Sequence, residues 1–187
     1  MNYWKKVYAG DYKKYSAELY ELFVNNYNEH FYYVNDFWNP VKAKTTWTIS
    51  KIIPDFEEVI EIFGPIKEMA LLVLNSDSAT LHVDHTIGLN GNVYARLNIP
   101  VLNCTGSTTA FFDLDKDTYA KHTTSPGGTK GWPSELRNSL QPVTQVELVE
   151  PTVLRTSVPH TVFCHSCNFP RISLTISFRK DLVSLLD

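Results

Sequence analysis

The chain changes its hydrophobic rhythm about one third of the way along. Between residues 11 and 27, Tyr15, Leu19, Leu22 and Phe23 recur at three- and four-residue spacing, the stripe of an amphipathic helix. Residues 31–40 are aromatic and without a period, and Thr45-Thr46-Trp47-Thr48-Ile49 reads as a short strand rich in β-branched side chains. Pro54 opens a second predicted helix over 55–63, which Gly64-Pro65 ends. Beyond it come short β-runs separated by turn residues, predicting strands at 68–75, 80–84, 93–102, 107–114, 143–149, 152–156, 161–164 and 171–178.

Two of these runs alternate with period two. In the last, Ile172, Leu174, Ile176 and Phe178 share one face, while Arg171, Ser173, Thr175, Ser177 and Arg179 share the other. Val93, Ala95, Leu97 and Ile99 likewise oppose Tyr94, Arg96 and Asn98. The apolar faces call for a packed layer, which the N-terminal helices can supply. The polar faces then look inward, a costly arrangement unless they meet water or a charged ligand. Two arginines on that side point to an anion, although a simple ion pair, to Asp113 for instance, would leave the same pattern.

These elements predict a mainly β protein: an antiparallel jelly roll (double-stranded β-helix, cupin-like) with N-terminal helices packed on one sheet. At 187 residues one domain is expected, with 1–67 as helical buttress and leading strand and 68–180 as jelly-roll core. The core carries a long insert at about 115–142, broken by Ser125-Pro126-Gly127-Gly128-Thr129 and Gly131-Trp132-Pro133. Within it, 134–140 suits a short helix capped by Ser134. Carrying Tyr119, His122 and Trp132, the insert could close over a pocket or be a surface excursion.

Composition narrows the classes. Hydrophobic residues at 43% and charged residues at 20% are ordinary for a globular chain. A net charge of −3 without any Lys/Arg block disfavours nucleic acid as a partner. The aromatic share of 13% suits a β-rich core and a walled pocket. No apolar segment nears the ~20 residues of a membrane span, and Met1-Asn2-Tyr3-Trp4-Lys5-Lys6 lacks a signal-peptide core, so a soluble, cytoplasmic protein is expected. Cys164-His165-Ser166-Cys167 has zinc-like spacing but no second pair. With Cys104, these cysteines are expected to be free thiols in a reducing compartment.

The candidate chemistry lies in Leu81-His82-Val83-Asp84-His85. On a strand, His82 and Asp84 share a face while His85 points the other way. One further histidine would complete the two-His, one-carboxylate face that holds ferrous iron with open positions. His160 is the candidate, and Arg171 and Ser173 follow it. An HxD triplet alone arises often by chance; the His, Arg and Ser downstream make coincidence less credible. His30, His85, His122 and His165 lack such a context and are expected to be solvated or hydrogen-bonded.

His82-Val83-Asp84, then His160, then Arg171 eleven residues on with Ser173 two beyond, resembles the iron(II)- and 2-oxoglutarate-dependent dioxygenases. The similarity runs over about 68–178. Arg96-Leu97-Asn98-Ile99-Pro100 is similar to the RxHxPL-like strand of the aspartyl/asparaginyl β-hydroxylase branch, with Asn98 where that branch has His. The resemblance implies Fe(II) on His82, Asp84 and His160, and 2-oxoglutarate with its far carboxylate on Arg171 and Ser173. Tyr94, Arg96 and Asn98 are secondary candidates for binding that co-substrate or the substrate. It further implies consumption of molecular oxygen and hydroxylation of a small molecule or a peptide or protein side chain. Because Asp84 is present, where the halogenating relatives lack the carboxylate, a hydroxylating member is expected. The rival expectations are a non-catalytic cupin-type module binding an anionic or sugar-like ligand, and a hydrolytic zinc or iron enzyme with the same ligands.

Overall fold

The computed structural model describes residues 1–18, 21, 32–34, 37–39, 57–84, 94–124 and 129–187. Eight strands carry the core: β4 (Ile66–Leu74), β5 (Leu81–Val83), β6 (Arg96–Leu102), β7 (Ser107–Phe111), β10 (Thr144–Glu147), β11 (Thr152–Leu154), β12 (His160–Cys164) and β13 (Arg171–Phe178). Each of the eight predicted runs contains or overlaps one of them. They are joined by β1 (Trp4–Lys6), β8 (Thr123–Thr124) and β9 (Lys130–Trp132), while β2 (Tyr32–Val34) and β3 (Phe37–Asn39) pair separately.

The five-stranded sheet is ordered β1-β11-β6-β13-β4 and the six-stranded sheet β10-β7-β12-β5-β9-β8. Along the chain the core strands cross between sheets: β4 in the first, β5 in the second, β6 in the first, β7 and β10 in the second, then β11, β12 and β13 alternating. All strand pairs among the described residues are antiparallel. The sheets face each other, touching through Phe111, Val146 and Leu154 and through Arg171 against Ser107.

The apolar side of the five-stranded sheet packs as the alternation predicts. Leu97, Ile99, Val153, Ile172, Leu174, Ile176 and Phe178 form one buried cluster with Tyr15, Val59 and Phe63. Tyr15 lies on helix α1 (residues 12–18), and Val59 and Phe63 on α2 (Glu57–Phe63). Each fully buried aliphatic or Phe side chain there stabilises the fold by about 1.5–3 kcal/mol. Gly64 ends α2 at φ +89°, its N–H donating to the Ile60 carbonyl, a left-handed cap in which glycine avoids the Cβ clash. Of the rest of the first predicted helix only Glu21 is described, as helical, and the predicted strand at 45–49 falls outside the described residues.

Four features differ from the sequence reading. The segment read as irregular around 31–40 contains the β2–β3 hairpin, with Tyr33 opposite Trp38. β1 escaped the reading because its Trp-Lys-Lys edge strand carries its cations toward water and shows no apolar alternation.

The insert is the third. Its β9 pairs with β5, and Trp132, Tyr119, Leu114, Leu136 and Leu140 pack on Leu81 and Val83. These lie on the face of β5 opposite His82, so this part of the insert braces the back of that strand. Its helix α3 (Lys116–Ala120) is capped by Asp115, whose carboxylate accepts from the Thr118 N–H at 2.8 Å. The predicted helix at 134–140 forms as α4 (Ser134–Ser139), but Pro133 holds the cap position and no side chain caps it.

The fourth difference concerns the cysteines. Cys164 and Cys167, expected to be free thiols, are joined by a disulfide. The turn after β12 brings their Cα atoms to 5.4 Å, within bridging range, as it folds over Gly106. Cys104 alone is free, and it is buried.

Candidate metal centre

β5 and β12 are neighbours, and their register sets His82 directly opposite His160. Both side chains therefore emerge on the same face, toward the other sheet, with ring centroids 4.4 Å apart. Asp84 follows one residue after β5 ends, where its N–H donates to the Thr156 carbonyl at 3.0 Å. That bond carries the strand geometry on to Asp84 and keeps it on the His82 side. One ligand atom from each of His82, Asp84 and His160 lies within 4.8 Å of the others. Among the described residues no other group of three such side chains converges.

The imidazoles are oriented from behind. His82 Nδ1 lies 2.6 Å from the Thr80 carbonyl and His160 Nδ1 2.8 Å from the Val158 carbonyl. A carbonyl only accepts, so each Nδ1 carries a hydrogen; this leaves His160 Nε2 with its lone pair for a cation, and His82 Nε2 offers one when His82 is neutral. Asp84 Oδ1 sits 3.3 Å from His82 Nε2, and Asp84 Oδ2 sits 3.2 Å from Arg96 Nε. The Arg96 contact is a charge pair by distance, without the N–H directed along it.

These neighbours set the ionisation. Burial opposes charge on Asp84, but its contacts with His82 and Arg96 outweigh burial and hold the carboxyl well below its usual range. Burial, followed by the adjacent His82, pushes His160 down to about 4. Burial also lowers His82, yet the Asp84 contact and the Thr80 carbonyl prevail and raise it above 6.5. A neutral His160 and an ionised Asp84 are the forms that bind metal.

The second cluster is built on β13. Arg171 is 2% exposed; its Nε donates to Ser107 Oγ at 3.2 Å and its Nη1 to Ser173 Oγ at 2.9 Å. Among the described residues no carboxylate pairs with it, and burial pulls its pKa down. The Ser107 hydroxyl is already engaged as donor to the Cys104 carbonyl. The Ser173 hydrogen has no acceptor among the described residues. A buried guanidinium backed by hydroxyls is a donor set suited to an anion. Two more buried hydroxyls, Thr156 Oγ1 and Ser177 Oγ, have no partner among the described residues.

The remaining sequence candidates divide. Asn98 is buried on the inner face, in one row with Thr152 and Thr175. Arg96 is buried too, but it pairs with Asp84. Tyr94 is 45% exposed, and its N–H donates to Asp181. His122 hydrogen-bonds the Tyr119 carbonyl within the insert, and His165 contacts Thr108, each as expected of a histidine without a motif. His30 and His85 lie outside the described residues. Asp113, raised as an arginine partner, instead accepts from the Tyr3 hydroxyl. Sequence reasoning missed Ser107; its place opposite Cys164, in phase with Phe111 opposite His160, is the signal that marks it inward-facing.

Sheets and site together define a β-sandwich of jelly-roll type with a candidate His/Asp/His metal centre between its layers. The chain is similar to the crystal structure of apo HygX from Streptomyces hygroscopicus, at 10% identity and a TM-score of 0.53, over 94% of this chain and 81% of that one. It is also similar to AviO1 from Streptomyces viridochromogenes Tue57, at 15% identity and a TM-score of 0.46, over 94% and 88% of the two chains. At 10% identity the likeness to HygX speaks for the fold alone. No protein-family profile matches the chain, and no curated protein matches it in sequence. Among the described residues no helix is long and apolar enough to cross a membrane.

Proposed function

We propose that the protein is an iron(II)- and 2-oxoglutarate-dependent oxygenase, hydroxylating a small molecule or a peptide or protein side chain. The alternation of core strands between two sheets supports reading the fold as a double-stranded β-helix. The observation that carries the function is the pairing of a His82/Asp84/His160 cluster with a buried Arg171 that meets no carboxylate among the described residues, in the same inter-sheet space.

In this reading His82 and His160 present their Nε2 atoms, and Asp84 one oxygen, to ferrous iron. Bound together, iron and 2-oxoglutarate would supply the oxidising power for hydroxylation, the co-substrate leaving as succinate and carbon dioxide. Arg171 binds the far carboxylate of the co-substrate through its fork, and the spare Ser173 hydrogen adds a donor. Ser107 holds the guanidinium from its other side. The protein thereby fixes a dianion by its remote end and leaves its keto-acid end directed toward the metal ligands.

Anaerobic titration of the protein with ferrous iron and 2-oxoglutarate tests this reading. We expect a visible absorption band that needs both additions. It should vanish in Asp84→Ala and need at least tenfold more 2-oxoglutarate in Arg171→Met. A wild-type protein that binds 2-oxoglutarate equally well with and without iron, and gives no band, would instead be the cupin-type binding module.

A further inference from the structure

We propose that Arg96 is a positioning residue, which holds the second oxygen of Asp84 and so keeps this carboxylate a one-oxygen ligand; the inference rests on reading His82, Asp84 and His160 as a metal centre. Sequence similarity assigned Arg96 to the co-substrate or substrate, whereas the structure sets it against a ligand of the metal.

The two oxygens of Asp84 face different partners. Oδ1 is 3.3 Å from His82 Nε2, on the side of the ligand cluster, and Oδ2 is 3.2 Å from Arg96 Nε. Arg96 belongs to β6 in the five-stranded sheet, so the pair spans the sandwich to the sheet that carries both histidines. It is 7% exposed, which spares the attraction most of the screening a surface pair would suffer.

The backbone prepares this contact without any metal. Asp84 N–H donates to the Thr156 carbonyl at 3.0 Å, and Ser157 N–H donates to the Tyr94 carbonyl at 3.3 Å. One short segment, 156–157, thus ties down the residue carrying Oδ2 and the strand start carrying Arg96. β11 adds to it through the register of Leu154 opposite Arg96.

The consequence is one of coordination positions. A carboxylate chelating through both oxygens would occupy a position that a chelating co-substrate and oxygen both need. With the charge of the guanidinium drawing Oδ2 toward Arg96, Oδ1 is the oxygen offered to the cluster, and a metal bound there would keep its other positions for co-substrate and oxygen. The nearby positive charge also opposes cation binding. Arg96 is therefore expected to lower raw metal affinity while improving co-substrate binding to the metal-loaded protein.

Cobalt(II), added to the whole chain under anaerobic conditions, tests this through its visible absorption. Arg96→Met should bind Co(II) at least as tightly as wild type and show a changed absorption envelope. Its Co(II)-loaded form should bind 2-oxoglutarate about tenfold more weakly. Arg96→Lys, which keeps a cation near Oδ2, should recover much of both properties. Arg96→Gln covers the case in which Met impairs folding, and should behave like Met. Wild-type spectra and wild-type 2-oxoglutarate affinity in Met and Gln variants would overturn the role of Arg96 while leaving the metal centre standing. Failure of the wild type to bind Co(II) would overturn the metal-centre reading itself, and this inference with it.

Discussion

On the outer face of β13, Ile172, Leu174, Ile176 and Phe178 meet the helical layer; on its inner face, Arg171, Ser173, Thr175 and Ser177 are as deeply buried, and Arg171 reaches Ser107 of the opposite sheet. The same strand thus carries two buried surfaces of opposite chemistry. Removing the outer face from water stabilises the fold by area alone. The inner face gains little from burial and must satisfy hydroxyls and a guanidinium, two of whose nitrogens reach only serine oxygens. Degree of burial therefore does not separate core from site here, whereas the kind of atom buried does. The six-stranded sheet repeats the contrast, with Leu81 and Val83 braced by the insert behind and His82 facing in front.

Substitution on the two faces of β13 should expose this difference most strongly. Leu174→Ala on the outer face is expected to cost about 2–5 kcal/mol in urea denaturation. Ser173→Ala, one residue away, should cost no more than about 1.5 kcal/mol yet weaken 2-oxoglutarate binding. Equal costs for the two would mean that the faces are not energetically distinct.

Acid should reveal the inner face next. The folded pKa of His160 is about 4, below its ordinary 6.5, so the unfolded chain takes up this proton first. Stability then falls as pH drops from 6.5 toward 4, by roughly 3 kcal/mol at about 1.4 kcal/mol per pH unit. His82 is raised, so its contribution is complete below 6.5 and is lost only as pH rises through its folded value. Asp84 is depressed, so its contribution is complete above its ordinary 3.8 and is lost at lower pH. Of the three, His160 alone changes between 4 and 6.5. His160→Gln should flatten that part of the metal-free stability profile; an unchanged slope would remove His160 as its source.

The smallest expected effect has an unusual sign. Arg171→Met removes a buried charge that has no carboxylate partner among the described residues and should raise stability by about 1 kcal/mol, measured by urea denaturation without ligand. The same variant should bind 2-oxoglutarate at least tenfold more weakly. Loss of stability without loss of binding would make Arg171 a structural residue.

Short β-runs between turn residues made the eight core strands readable, and period-two alternation in the last of them gave the orientation of Ser173 and Ile172, because side chains on a strand must point to opposite faces. The HxD spacing put His82 and Asp84 on one side for the same reason. The edge strand β1 could not be read, since three residues, two of them exposed lysines, are too few to carry a pattern. Nor could the bracing position of the insert, because Trp132 and Tyr119 would look the same in a lid as they do behind β5.

The sequence by itself determined the order of elements, the apolar stripes that must be covered, and the chemical identity of His82, Asp84, His160 and Arg171. Only the tertiary structure decided that His160 stands opposite His82 and that Arg96 turns to Asp84. Local steric preference acts between neighbours in the chain and leaves its mark as a period. Register between strands and charge pairing across the sandwich join residues far apart in the chain, and those contacts exist only after the sheets have closed on each other.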